Sequence, residues 1–243
     1  MKKILFVVSD IHGHYSEMKK ALDSAGFDPE NETHVFVNCG DLFDRGAENT
    51  EVYRFVNSLK RKILIRGNHE DILYRILKNK KITYREVWNG ADITLRQLIG
   101  EDSIDSDFNF VYEPYEAKIE EILDFIDSMI NYYETEKYVF THGWLPVEIF
   151  DRTPEIIPNW READALYWKD ARWLQWQEMY GVGALLDDKT IVCGHRPTSM
   201  GDMYDTNREP DDSSIFYGDR MIAIDACTVR SGRVNVLVVE DNG

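Results

Sequence analysis

Gly40-Asp41-Leu42-Phe43-Asp44-Arg45-Gly46 is the stretch on which the reading of this chain turns. It follows an apolar run, Val35-Phe36-Val37, and so reads as a loop at the carboxyl end of a β-strand. Two carboxylates and a guanidinium lie between two glycines, which accept positive φ and let a ligand approach the main chain. Carboxylates this close repel each other unless a cation or a proton relieves them. A phosphate bound across a divalent metal and Arg45 would supply that relief. A solvated acidic turn would need neither.

Outward from this loop the same arrangement repeats. A β-branched run over residues 2–10 predicts a strand ending in Asp10-Ile11-His12, and residues 15–25 place Met18, Ala21, Leu22 and Ala25 on one helical face. Residues 33–38 predict a second strand and 49–59 a second helix, with Val52, Phe55, Val56 and Leu59 at spacings of three and four. A third strand, 62–65, ends in Arg66-Gly67-Asn68-His69-Glu70, and a third helix follows over 71–77. This alternation predicts a parallel α/β sheet with its site at the carboxyl ends of the strands.

From residue 80 to about 136 the pattern becomes helical with acidic loops, and Ile119, Ile122, Leu123, Ile126 and Ile130 mark one amphipathic helix. The segment reads as an insertion over the sheet. A strand returns at 137–141 before His142-Gly143, and residues 144–188 form a second insertion carrying Trp144, Trp160, Trp168, Trp173 and Trp176. These rings make either a small aromatic core beneath a cap or a wall facing substrate. Further strands are expected at 190–193, 221–224 and 234–239, with a polar loop at 201–214. No repeat, low-complexity tract or linker interrupts the chain, so residues 1–243 are read as one domain with two cap insertions.

Composition narrows the function. The 28 basic and 44 acidic residues give a formal charge of −16, which repels polyanions, so no stable nucleic-acid binding is expected. Salt screens that field beyond about 8–10 Å, so a metal pair and a few arginines can still dominate a small site. Residues 4–8 are too short an apolar run for a signal-peptide core or a membrane span, and a cytoplasmic protein without membrane partners is expected. Cys39, Cys193 and Cys227 form no C-x-x-C pair, in keeping with a reducing compartment. No G-x-x-x-x-G-K-[ST] occurs, which excludes a P-loop kinase or ATPase.

Asp10 and His12 are two apart on an extended chain, so both can reach one metal. Asp41, Asn68, His142 and His195 each follow a different predicted strand, beside or within a glycine motif. Four of the six histidines, His12, His69, His142 and His195, fall in these loops. One such histidine would be an ordinary core or surface residue; four at four strand ends call for a common ligand. Mixed imidazole nitrogen and carboxylate or amide oxygen suits Mn, Fe or Zn better than Ca or Mg.

Asp-x-His, Gly-Asp-x-x-Asp-Arg-Gly and Gly-Asn-His-Glu, followed by two separated histidines, resemble the calcineurin-like metallophosphoesterases, and among them the phosphoprotein phosphatase branch. That branch includes bacterial and phage Ser/Thr phosphatases and symmetrical diadenosine tetraphosphatases. The resemblance runs from Ile4 to about Cys227 outside the insertions. It implies an α/β fold, a β-sandwich flanked by helices with helical caps. It also implies two divalent ions, Mn favoured and Fe, Zn or Ni as alternatives. Asp10 and His12 would hold the first ion, Asp41 would bridge, and Asn68, His142 and His195 would complete the second. The implied reaction is phosphomonoester hydrolysis by in-line attack of a hydroxide bridging the ions. Arg45 and Arg66 match the family's phosphate-gripping arginines, and His69 would protonate the leaving oxygen with Asp44 orienting it.

Other positions carry less. Ser9 stands where the family commonly has glycine. A further phosphate-binding arginine is expected between the last two metal histidines, with Arg172 the first candidate and Arg161 the second. Arg196 either reaches substrate or pairs with surface acids. His14 is expected to be supporting or solvent-facing, Asp225 a turn carboxylate or a partner for a metal histidine, and Glu70 a support for its loop. The leading function is a phosphatase acting on phosphoproteins or small phosphoesters, plausibly a protein Ser/Thr phosphatase. A dinucleoside polyphosphate hydrolase is the alternative, since the tryptophans could stack an adenine. A metal-binding scaffold without catalysis is remote, because it would need no general acid.

Overall fold

A computed structural model describes residues 2–105 and 107–241. Strands β1 (Lys3–Val8), β2 (His34–Cys39) and β3 (Lys62–Ile65) alternate with helices α1 (Tyr15–Ser24), α2 (Asn49–Ser58) and α3 (Asn68–Asn79). Residues 80–136 contain α4 (Tyr84–Trp88), α5 (Ala91–Leu98), α6 (Glu116–Asp127) and, at their end, the short strand β4 (Tyr133–Glu134). After β5 (Tyr138–Phe140), residues 144–188 form a hairpin, β6 (Val147–Phe150) and β7 (Thr153–Ile156), then α7 (Ala165–Ala171) and α8 (Trp176–Gly181). The remainder is β8 (Thr190–Cys193), β9 (Phe216–Gly218), β10 (Met221–Ala223), α9 (Thr228–Ser231) and β11 (Leu237–Asp241).

Apart from the separate β6-β7 hairpin, these strands make two mixed sheets rather than one parallel sheet, which corrects the simplest reading of the alternation. The first has the order β11-β1-β2-β3, with β1, β2 and β3 parallel and β11 antiparallel to β1. The second has the order β4-β5-β8-β10-β9, with a parallel centre of β5, β8 and β10 and antiparallel strands at both edges. Period-two alternation explains the layering. Leu5, Val7, Val35 and Val37 face Phe140, Val192 and Ile222 between the sheets, while Phe6, Val8 and Phe36 turn outward beneath the helices. The helices return apolar stripes to that outer face, including Met18 and Leu22, Val52 and Val56, and Ile119, Ile122 and Ile126. The result is a β-sandwich with helices outside it, the architecture the motifs implied.

The outer face of the second sheet is covered mainly by aromatic rings. Trp144, Trp160, Trp168 and Trp176 are buried there with Ile191, Cys193 and Met221. Four of the five clustered tryptophans are therefore core. Trp173 is the exception, at 45% exposure. Among the described residues no helix is long and apolar enough to cross a membrane.

Candidate metal centre

β1 and β2 run parallel and in register, so the turns after them lie side by side. Asp10 N–H donates to the Gly40 carbonyl (3.1 Å) and His12 N–H to the Asp41 carbonyl (3.0 Å), which lays the two motif loops against each other. Asp10, His12, Asp41, Asp44, Arg45 and His195 all adopt positive φ, between 48° and 74°. Such conformations are uncommon outside glycine and cluster where surrounding structure over-determines them. Glu70 is part of that structure. Its buried carboxylate accepts the N–H groups of Gly67 (2.8 Å), Asp41 (2.9 Å) and Leu42 (2.8 Å), tying two motifs together. The same contact caps α3, so the helix begins at Asn68, earlier than the expected residue 71.

The structure brings Asp10, His12, Asp41, Asn68, His142 and His195 around one point, all but His195 buried. Asp41 is central. Its Oδ2 lies 3.6 Å from His12 Nε2 and its Oδ1 lies 3.4 Å from His142 Nε2. Asp10 Oδ1 lies 3.9 Å from His12 Nε2, and Asp10 Oδ2 accepts the backbone N–H of His195 at 2.9 Å. Two groups of ligand atoms result, His12 with Asp41 and His69, and Asp41 with His142 and His195.

Several features of these atoms fit a pair of divalent cations. His12 Nδ1–H donates to the Phe43 carbonyl and His142 Nδ1–H to the Cys39 carbonyl, both at 2.8 Å. Each ring therefore points Nε2 inward, the atom a metal would take. His12 Nε2 is buried with no hydrogen-bond partner among the described residues. His142 Nε2 and Asn68 Oδ1 sit 2.8 Å apart, a contact that either a proton on Nε2 or a shared cation would satisfy. Burial, aided by His69 and Arg45, drives the His12 pKa well below its usual value. Burial and neighbouring His142 bring His195 down to about 3. Both rings stay neutral and available as ligands. Burial also raises Asp10, whereas His142 and His69 beside Asp41 outweigh its burial and lower its pKa.

Beside this group His69 Nδ1–H donates to Asp44 Oδ2 at 2.7 Å, and Arg45 Nη2 lies 3.2 Å from His69 Nε2. Burial pulls His69 down, but Asp41 and Asp44 outweigh it and raise the ring to about 9. Protein stripped with a chelator is expected to gain about 5–10 °C in Tm when Mn is added at roughly 100 times its Kd. A Tm unmoved by Mn, Fe, Zn or Ni in differential scanning calorimetry would show that these residues hold no ion.

Residues 4–225 match the family profile described as calcineurin-like phosphoesterase. The chain belongs to that family. It is 38% identical over 101 residues to the asymmetrical bis(5'-nucleosyl)-tetraphosphatase PrpE of Bacillus subtilis (strain 168), covering 38% of this chain and 40% of that protein. It is 35% identical over 96 residues to the symmetrical bis(5'-nucleosyl)-tetraphosphatase of Wigglesworthia glossinidia brevipalpis, covering 37% of this chain and 35% of the relative. The chain thus spans less than half the length of either relative. A protein serine/threonine phosphatase from Saccharomyces cerevisiae superposes with a TM-score of 0.56 at 13% identity, over 99% of this chain and 80% of that one, which establishes a shared fold.

In this calcineurin-like phosphoesterase a cleft of about 620 Å³ opens on Asp41, Asn68, His69 and His195. Arg45, Arg75, Arg85, Arg196, Trp173 and Gln175 also line it. Arg75 is committed to Glu86, whereas Arg45, Arg85 and Arg196 have no carboxylate partner among the described residues. Beyond Ile72, Arg75 and Trp173 lies a side lobe of about 290 Å³ lined also by Arg66, Tyr74 and Lys169.

Two expected substrate arginines are placed differently. Arg172 is buried and does not line the cleft; its Nε donates to Asp71 Oδ2 (2.7 Å) and its Nη1 to Asn131 Oδ1 (2.8 Å). Asp71 follows Asn68 on the first turn of α3 and neutralises the guanidinium before a substrate can. Arg66 pairs with the other oxygen of Asp71 at 2.7 Å and stacks on Tyr74, so it faces the side lobe. Arg161, the second candidate, is held by Glu134 and Trp160. Arg196 does line the cleft. His14 supports the first loop through the His12 carbonyl at 2.7 Å. Asp225 is a buried turn carboxylate accepting Cys227 N–H at 2.6 Å, its pKa raised by burial and then by Asp10. Arg75 and Arg85 escaped the sequence reading. The signal for them was a local basic run, Arg75, Lys78, Lys80, Lys81 and Arg85, inside a strongly acidic chain.

Proposed function

We propose that this protein is a two-metal hydrolase of dinucleoside polyphosphates, working in the cytoplasm with Mn as its native ion. The observation that carries the reading is the company of the metal centre. Three guanidiniums without carboxylate partners among the described residues, Arg45, Arg85 and Arg196, share one cleft with the half-exposed ring of Trp173. A phosphomonoester offers one phosphoryl group, for which Arg45 alone beside the ions would serve. A polyphosphate chain spreads its charge along the cleft, where bidentate arginines bind it well. An adenine could stack on Trp173, and the lobe past it gives the rest of the molecule room. The tetraphosphatase relatives favour the same substrate class.

Asp10, His12 and Asp41 would hold one ion, and Asp41, Asn68, His142 and His195 the other. When bound, the pair supplies Lewis-acid neutralisation of phosphoryl oxygens and a water acidic enough to attack at neutral pH. The chain's own residues do the rest. Arg45 and His69 Nε2 converge on one spot, so both can donate to a leaving or non-bridging oxygen. Asp44 keeps His69 in the orientation and charge state that makes it a proton donor.

Arg85→Ala and Arg196→Ala are each expected to raise KM for diadenosine tetraphosphate about tenfold, the size of one charged hydrogen bond, with a smaller effect on p-nitrophenyl phosphate. Equal losses on both substrates, or turnover of monoesters alone, would overturn the reading. The second reading, a protein Ser/Thr phosphatase, is favoured by Tyr84 and Trp88. These rings are 76% and 80% exposed on α4, the helix whose Arg85 and Glu86 line the cleft, where a peptide could lie. A phosphoserine peptide in the same assay separates the two.

A further inference from the structure

We propose that Thr94, on α5 of the 80–136 segment, is a positioning residue that locks the Asp44 carboxylate in the orientation serving His69. The inference rests on His69 acting as the proton donor. Thr94 is fully buried, next to Ala91, Leu95 and Leu98, where a valine would pack as well. A buried hydroxyl costs stability unless it is hydrogen-bonded. Two acceptors compete for its proton, the Gly90 carbonyl at 3.4 Å and Asp44 Oδ1 at 2.7 Å, and the shorter contact wins. The Thr94 hydroxyl oxygen in turn accepts the Asp44 backbone N–H at 3.0 Å, shared with Asn49 Oδ1 at 3.1 Å. Thr94 thus clasps Asp44 at both its main chain and its side chain.

The clasp has two effects on the site. Asp44 has φ of 74°, a conformation a non-glycine residue holds only when its surroundings enforce it. Its backbone N–H, fixed by Thr94 and Asn49, is part of that enforcement. With Oδ1 occupied by the hydroxyl, Oδ2 is left to accept His69 Nδ1–H at 2.7 Å. The neighbouring backbone is docked on the same segment. Arg45 N–H donates to the Asn89 carbonyl at 3.1 Å, and a Cβ at Gly90 would come within 2.6 Å of Arg45 N. Removing the hydroxyl frees the carboxylate to rotate and leaves Asp44 N–H with one acceptor, without touching substrate or a metal ligand.

The test compares Thr94→Val, Thr94→Ser and His69→Ala on phenyl phosphate and p-nitrophenyl phosphate, with the imidazole proton on His69 Nδ1 followed by NMR. Thr94→Val should lower kcat on phenyl phosphate, whose leaving group is poorer, about tenfold, and on p-nitrophenyl phosphate about twofold or less. Thr94→Ser should restore both rates. The downfield Nδ1 proton resonance should be lost or displaced in Thr94→Val and retained in Thr94→Ser, a readout that needs no turnover. An equal loss on both substrates, no rescue by serine, or an unchanged resonance in Thr94→Val would overturn the inference. If His69→Ala itself slows both substrates equally, the proton-donor reading falls; if it is selective and Thr94→Val is not, this inference alone falls.

Discussion

Asp41→Asn is expected to lower kcat/KM roughly a thousandfold, equivalent to about 4 kcal/mol, and to cut bound metal from two ions per chain to one or none. The reason is where its oxygens sit. Oδ2 faces His12 Nε2 at 3.6 Å and Oδ1 faces His142 Nε2 at 3.4 Å, so one buried carboxylate serves both ligand groups. An amide keeps the volume and presents one oxygen without charge, so one group loses its ligand. Oδ1 also accepts the His69 backbone N–H at 3.0 Å, which the amide oxygen can still do, so the fold should survive. Metal content by mass spectrometry and hydrolysis by the same preparation check the expectation. Two ions retained at wild-type rates would remove Asp41 from the centre of the site.

His69→Ala should slow phenyl phosphate by about 100- to 10,000-fold, the range of general acid catalysis, and p-nitrophenyl phosphate far less. Nitrophenolate leaves without a proton; phenolate needs one more. The geometry assigns the proton to Nε2, because Nδ1–H is engaged with Asp44. His69 Nε2 lies with His12 and Asp41, but its Nδ1–H serves Asp44 and Asp10 would complete that set, so metal content should stay at the wild-type level with Asp10, His12, Asp41, Asn68, His142 and His195 untouched. Equal slowing of the two esters would mean His69 shapes the site rather than donating a proton.

Much of the site was legible because its chemistry is local. Asp10, Asp41 and Asn68 sit where β-branched runs give way to glycine or its neighbours, and those short patterns mark a strand, a turn and a candidate ligand together. His142 and His195 followed from the same rule on shorter strands. What stayed hidden depends on distance along the chain. Arg172 and Asp71 lie 101 residues apart, and nothing near either shows that one neutralises the other. Thr94 looks like any polar residue on an amphipathic helix until α5 is laid across the Asp44 loop. The split into two sheets was equally opaque. β5, β8 and β10 are three or four residues each, and their grouping in one sheet depends on tertiary order rather than on pattern. The tryptophans stayed ambiguous for the opposite reason, since burial and substrate contact favour the same ring.

The pairing of Asp10 with the His195 backbone spans 185 residues. During vectorial synthesis Asp10, His12 and Asp41 leave the ribosome first, at about 5–20 residues per second, while the partner histidines are still untranslated. β11, which flanks β1, arrives later still. Until residue 195 is made the nascent chain therefore carries an incomplete acidic cradle, and a cation captured before then would meet only part of the candidate ligand set.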